Sequence, residues 1–394
     1  MNETIYMPVG EVCSSISDTY REKKNMVTLI NTSDVLEGRV LNHERVPNSN
    51  LKGQFKKTFQ RDDILYSEIR PQNRRFAYVD FSPIDYIAST KLMVIRAKKD
   101  VVSPKYLYYF LKNSSTVAEL QLLAETRSGT FPQITFSEVA NLTIPVPPLA
   151  VQEVIVQTMQ CLEDKTICNE QINDNLEQQA QAIYHERFET VSPNDLPSDW
   201  RIVTLGEVAT ISNKSFNPLK EPEILLEHYS IPAFDEARFP VFELSTSIKS
   251  NKFIIDASCF MISKLNPTTK RVWKPYCLTG NAVCSTEFIV YKAKDQSITD
   301  FLYSVIDSVS FSDFMCSHVT GSTGSRQRTT PSDTLSYELI LPSEDELAEF
   351  QSLVSPMYAQ MRINAIENDK LKRLRDSLLP KLMSGEIDVS SVHL

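Results

Sequence analysis

The sequence predicts an α+β protein: two tandem mixed α/β domains, each followed by a long helix, with the two helices pairing as an antiparallel coiled coil in a pseudo-twofold repeat. Three observations predict it. The chain aligns with itself at half its length, each half opens on short apolar runs broken by turn residues, and each half closes on a proline-bearing stretch followed by an apolar seam of period seven.

The repeat is read from spacing. Gly10-Glu11-Val12 recurs as Gly206-Glu207-Val208, Ser67, Pro71 and Arg75 recur as Ser263, Pro267 and Arg271, and Ser89-Thr90 recurs as Ser285-Thr286, each pair 196 residues apart. After a one-residue deletion near Lys99 the spacing is 195, as in Leu107-Tyr108 with Leu302-Tyr303, Gly129 with Gly324, Pro147 with Pro342 and Leu176 with Leu371. Chance identities would not keep one register through loops, strands and helices, so the chain is a duplicated unit. The identities are sparse, which implies a shared fold with diverged surfaces.

The first domain is placed at residues 1–148. Residues 63–67 and 77–79 read as strands flanking a polar tip, 91–96 as a further buried strand, and 103–111 as a short helix with Pro104 suited to a first helical turn. The second domain, residues 197–342, answers with strands at 259–263 and 286–291 and a helix near 299–303. Residues 192–199, rich in Ser, Pro, Asn and Asp, form the linker before it.

Long spacer helices are placed at residues 149–190 and 343–385. In the first, Ile155, Leu162, Asn169, Leu176 and Ile183 share one heptad position, and the repeat carries them onto Phe350, Met357, Asn364, Leu371 and Leu378. The companion seam also matches Asn173 with Asn368 by position. An interior Asn fixes register at some cost in stability, so Asn169, Asn173, Asn364 and Asn368 are the candidate register residues. Pro356 is expected to break or kink the second helix, leaving it regular only from about Met357.

Composition narrows the function. Apolar residues are 42% and charged residues 23%, no apolar run is long enough for a membrane span, and the N-terminus lacks a basic stretch followed by an apolar one, so a cytoplasmic protein with no membrane partner is expected. Seven scattered cysteines and five isolated histidines argue against a disulfide framework or a metal cage. Nine glycines, none in a phosphate-cradling motif, and the lack of a nucleophile elbow, a zinc-protease motif or an adenine-methylating motif lead to the expectation of no catalytic residue in this chain. Glu163-Asp164-Lys165 has a nuclease-like spacing but is read as a solvated helix face.

The net charge of −9 argues at first against nucleic acid, yet it is uneven: residues 1–148 carry 19 basic and 16 acidic side chains, residues 149–196 only 2 basic against 9 acidic. The basic residues gather at turn tips. Arg70, Gln72, Asn73, Arg74 and Arg75 in the first half correspond to Asn266, Thr268, Thr269, Lys270 and Arg271 in the second, with Lys264 and Lys274 flanking them. Arg and Lys suit guanine or phosphate and Gln and Asn suit adenine edges, so these tips are candidate DNA-reading loops. An exposed, solubilising hairpin is the alternative for either tip alone; recurrence at equivalent positions favours binding. A second pair of loops supplies Thr130 and Gln133 in one half and Arg326 and Arg328 in the other, with small residues that admit close approach to a phosphate.

Taken in order, the duplication, Ser-Gly-Thr-Phe-Pro-Gln-Ile at residues 128–134, Ile-Pro-Val-Pro-Pro-Leu from Ile144 with Gln152, the Asn- and Leu-bearing helix from Asn169, Ile-Ser-Lys-Leu-Asn-Pro at 262–267 and Leu-Leu-Pro-Lys-Leu-Met-Ser-Gly-Glu-Ile at 378–387 resemble the DNA specificity subunit of type I restriction-modification enzymes over essentially the whole chain. The resemblance implies two target-recognition domains reading the halves of a bipartite, asymmetric double-stranded DNA target. It also implies helices that dock two methyltransferase subunits, with restriction and translocase subunits joining; S-adenosylmethionine, ATP and Mg chemistry would belong to those partners, with no cofactor in this chain. The second half departs from the pattern, with Arg326-Gln327-Arg328 where the first has Phe131-Pro132-Gln133, and Glu344-Asp345-Glu346 before its helix. A specificity subunit of a differently organised methylation or phage-defence system is the alternative, and a two-domain nuclease or a scaffold without DNA binding are more distant ones.

Overall fold

A computed structural model of the protein describes residues 4–22, 24–49, 53–127, 130–320, 327–387 and 389. The chain forms two compact units, one of residues 1–165 with 370–394 and one of residues 166–369.

The first unit is built on a four-stranded antiparallel sheet in the order Cys13–Ile16, Leu92–Ala97, Ile64–Ser67, Phe76–Tyr78. Ile64–Ser67 is buried at every position, so its sequence is a continuous apolar run rather than an alternation. A second sheet orders Arg45–Pro47, Met26–Ile30, Tyr86–Ser89 and Phe55–Lys57, with Met26–Ile30 and Tyr86–Ser89 parallel. The helix Pro104–Lys112 starts on Pro104, whose fixed φ and missing N–H suit a first turn, and buries Tyr106, Leu107, Tyr109 and Leu111. Ile155, Val156 and Met159 of the first long helix and Leu379, Leu382 and Met383 of the second enter the same core as Val9, Ile64 and Met93.

The second unit repeats this plan. Its four-stranded antiparallel sheet runs Ala209–Ile211, Phe288–Ala293, Cys259–Ser263, Val272–Trp273, and its other sheet again contains a parallel pair, Leu225–Tyr229 with Ala282–Ser285. One segment differs. Where the first half has the small hairpin Val35–Leu36 and Arg39–Val40, with its turn at Glu37 and Gly38, the second half has the helix Ile231–Ala237, capped by the Ser230 hydroxyl on the Ala233 N–H at 3.2 Å.

The long helices are Leu149–Tyr184, extended by a π-helical turn His185–Glu189, and Glu344–Ser384. Within the second unit they run antiparallel. Asn169 Nδ2 donates to Asn368 Oδ1 at 2.8 Å and to Glu367 at 2.7 Å, Asn364 Nδ2 donates to Asn173 Oδ1 at 2.8 Å, and Arg187 reaches Glu346 and Glu349 at 2.9 and 2.7 Å. Asn169 and Asn364 are buried, so shifting the register would strand amide groups away from water at a cost of about 1–3 kcal/mol each. The four asparagines chosen from the heptad pattern thus meet in two adjacent rungs.

Two readings of the helices need correction. Pro356 does not end the second helix, which is continuous from Glu344 to Ser384. Pro356 is exposed, and the carbonyl it leaves without an intrahelical partner belongs to exposed Ser352, where water can satisfy it, while buried Phe350, Val354 and Tyr358 hold the opposite face. Pro356→Ala is therefore expected to raise the denaturation midpoint, recovering part of the roughly 3 kcal/mol that an interior proline costs; an unchanged midpoint would show that the proline costs this helix nothing. Asp164 and Lys165 are exposed as expected, but Glu163 beside them is only partly so. It accepts the Tyr109 hydroxyl at 3.0 Å and pairs with the ammonium of Lys112, a group whose pKa burial pulls down.

Candidate nucleic-acid interface

The two tips share a backbone. In the first, Arg70 takes a left-handed conformation (φ 44°), its N–H donates to the Pro132 carbonyl at 3.1 Å, and the Asn73 N–H returns to the Arg70 carbonyl at 2.8 Å. In the second, Asn266 has φ 49°, its N–H donates to the Gln327 carbonyl at 2.9 Å, and the Thr269 N–H returns to Asn266 at 2.9 Å. Asn tolerates this region better than Arg, so Arg70 holds the more strained position. Ser67 and Ser263 each clamp the residue two further on, and bridges Ile69–Gln133 and Leu265–Arg328 seat the second loop against the tip in both halves. The structure therefore sets the described ends of the second loops, Pro132-Gln133 and Gln327-Arg328, against the tips that the sequence singled out separately. Thr130 is exposed on the first of them; Arg326 lies outside the described residues.

Side chains divide into those pointing outward and those tied down. Arg70, Gln72, Asn73, Thr268 and Thr269 are exposed. Arg74 is held by Ser114 at 2.9 Å and lies 3.8 Å from Glu37, and Arg75 donates to the Ser33 and Val35 carbonyls at 3.0 and 3.4 Å. Arg271 pairs with both oxygens of Asp235 at 2.6 and 2.9 Å. Arg75 and Arg271 thus grip the same place in the repeat, where the hairpin and the helix differ. Gly38, in that hairpin turn, has φ 107°, and an added Cβ would lie 2.2 Å from the Tyr108 hydroxyl.

Lys270 is anchored more deeply. Its ammonium donates to the Asp307 backbone carbonyl at 2.8 Å and lies 2.8 Å from Asp307 Oδ1, an ion pair without the angles of a hydrogen bond. Burial pushes the Asp307 carboxyl up to about 6 against the attraction of Lys270. Lys274 departs from the tip altogether: it pairs with Asp300 and lies over the Tyr358 ring, in a shallow polar cleft of about 470 Å³ that also includes Gln351 and Ser355 of the second long helix. Arg74, Arg75, Lys270 and Arg271 thus each have a partner within the protein that holds the tip in place.

The second loop is braced by charge. In the first half, Lys91 donates to Gln133 Oε1 at 3.2 Å and lies 3.5 Å from Glu68. In the second half, Glu287 accepts both Nε and Nη2 of Arg328 at 3.0 Å, and Arg328 with Lys264 holds its carboxyl below the usual range. Asp235, Asp307, Glu68, Lys91 and Glu287 had been missed. The repeat carries a signal for the last three: Glu68 with Lys264 and Lys91 with Glu287 occupy equivalent positions with opposite charge.

Residues 6–178 match the family described as "Type I restriction modification DNA specificity domain". Among curated proteins, the chain is similar to the Type I restriction enzyme HindI specificity subunit of Haemophilus influenzae, at 29% identity covering 92% of this chain and 94% of that protein. It is also similar to the MjaIX specificity subunit of Methanocaldococcus jannaschii, at 24% identity over 79% and 77%. Among solved structures, a type I restriction-modification system S subunit from M. genitalium aligns with a TM-score of 0.54 at 15% identity, covering 98% of this chain and 97% of that one. A chain from work on complex assembly and conformational transition of the type I R-M system aligns with a TM-score of 0.51 at 19% identity over 98% of both. At these identities the two structures show the shared fold.

Proposed function

We propose that the chain is a specificity subunit of a type I restriction-modification system, a reading supported by the family match over residues 6–178 and the likeness to the HindI specificity subunit, and that its two repeats read the two unlike halves of a bipartite double-stranded DNA target. The observation that carries the reading is the pair of tip-and-loop platforms with one backbone and different exposed residues, Gln72 and Asn73 on one and Thr268 and Thr269 on the other. Gln and Asn can make paired hydrogen bonds to an adenine edge, whereas Thr offers one hydroxyl and a methyl suited to thymine, so the two platforms would select different bases. Exposed Arg70 supplies a phosphate contact that positions without specifying.

The chain itself performs no chemistry in this reading and carries no cofactor. Methylation with S-adenosylmethionine, and cleavage and translocation with ATP and Mg, belong to partner subunits, two methyltransferase copies docking on the repeated helical surfaces.

DNA reading is tested by titrating the purified full chain with labelled duplex at several salt concentrations. Binding that weakens linearly in log–log form is expected, because each neutralised phosphate releases counterions with a slope of about −0.9. Absence of binding at low salt would leave a scaffold without DNA affinity as the better reading.

A further inference from the structure

We propose that the residues at 68, 91 and 133, and their equivalents 264, 287 and 328, are positioning residues for target reading: an electrostatic brace that fixes the second loop against the tip, with polarity reversed between the halves. The inference rests on the DNA-reading function proposed above.

The backbone frame is the same in both units. The Glu68 N–H donates to the Lys91 carbonyl at 3.0 Å and the Lys264 N–H to the Glu287 carbonyl at 2.9 Å; the Ile134 N–H donates to Glu68 and the Thr329 N–H to Lys264, at 2.9 and 3.1 Å. On this common frame stand Glu68, Lys91 and Gln133 in one half and Lys264, Glu287 and Arg328 in the other. The first two positions exchange sign. The third follows the second: a guanidinium faces the carboxylate of Glu287, while opposite Lys91 stands an amide, which can accept through its oxygen or donate through its nitrogen.

These side chains are partly exposed, with Lys91 49% and Arg328 42% accessible, and partly exposed ion pairs contribute little to stability. Their consequence is geometric. The brace ties the sheet turn that carries residue 91 or 287 to the loop beside the tip, so losing it lets that loop move relative to the exposed reading residues. Reversed polarity makes the residues of one half unsuitable in the other unless exchanged together, so each half can be altered without disturbing its twin.

The test uses the full chain and a duplex pool with randomised positions, sequenced after selection. Lys91→Glu sets two carboxylates side by side, and Glu68→Lys with Lys91→Glu restores a pair in the second half's polarity, to which the Gln133 amide can donate. The single variant is expected to lose about tenfold in base preference in one half-site, with the other half-site and the melting temperature unchanged. The double variant is expected to recover preference to within about twofold, and Glu287→Gln to weaken the other half-site alone. Equal loss in both half-sites, loss that follows melting temperature, or a double variant no better than the single would overturn the brace. Unaltered preference in every variant would do so as well, leaving the DNA-reading function standing, whereas a wild-type chain that enriches no sequence would overturn both.

Discussion

Asp307→Asn is expected to raise the stability of the second unit at pH 8 by about 3 kcal/mol and to leave it unchanged below about pH 4. The Asp307 carboxyl is 1% exposed and its pKa is pushed up to about 6, first by burial and then by the negative charge of Glu177, against the opposing attraction of Lys270 and Arg238. Tyr303 and Tyr358 stand near it and are themselves driven upward by burial. A carboxyl whose folded value lies above its unfolded one binds more protons in the folded state, so stability is greatest below the unfolded value and falls as pH rises through the folded one. The wild-type chain should therefore lose stability between about pH 4 and 6 where the Asn variant does not. Lys270→Ala acts the other way, because the ammonium is what keeps the carboxyl from rising further, and its loss at pH 8 should deepen the penalty. Chemical denaturation of the full chain across this range checks both; parallel curves for wild type and Asn variant would show that Asp307 is not held ionised at a cost. A more stable Asn variant at pH 8 would show that the anchor under the second tip is held at the expense of fold stability.

Gln72→Ala combined with Asn73→Ala is expected to relax one half-site by about 1 to 3 kcal/mol for each base contact removed, leaving the other half-site intact. Thr268 and Thr269 substitutions should do the same for the second half-site alone. Arg70→Ala should instead weaken all sequences alike and lower the salt slope by about 1. Competition between duplexes mutated in one half or the other separates these outcomes. Equal weakening on both halves by the Gln72 and Asn73 variant would place base reading elsewhere.

The fold was legible because duplication writes itself twice. The strands around Ile64–Ser67 and Cys259–Ser263, the helix starting at Pro104 and the two Asn rungs all follow from apolar pattern and repeat spacing. Pro356 was misread because local propensity carries no information about which face of a helix is packed. At the tips, residue type and recurrence picked out two loops that share a backbone, but not the direction of each side chain. The internal partners of Arg75 and Arg271 could not be read from sequence, because only the fold brings the Ser33 and Val35 carbonyls or the Asp235 carboxylate to them, from more than thirty residues away. The helix Ile231–Ala237 had no trace in the repeat because its counterpart is a hairpin.

The central claim, two unlike half-sites read by two repeats, is tested most directly by mapping methylated bases across a genome that expresses this chain with its methyltransferase partner, beside the same map for the Gln72 and Asn73 double variant. The account predicts a target of two different blocks separated by unread bases in the first map, and in the second the same spacing with degeneracy confined to one block. A single continuous target, a palindromic one, or degeneracy spread over both blocks would contradict it.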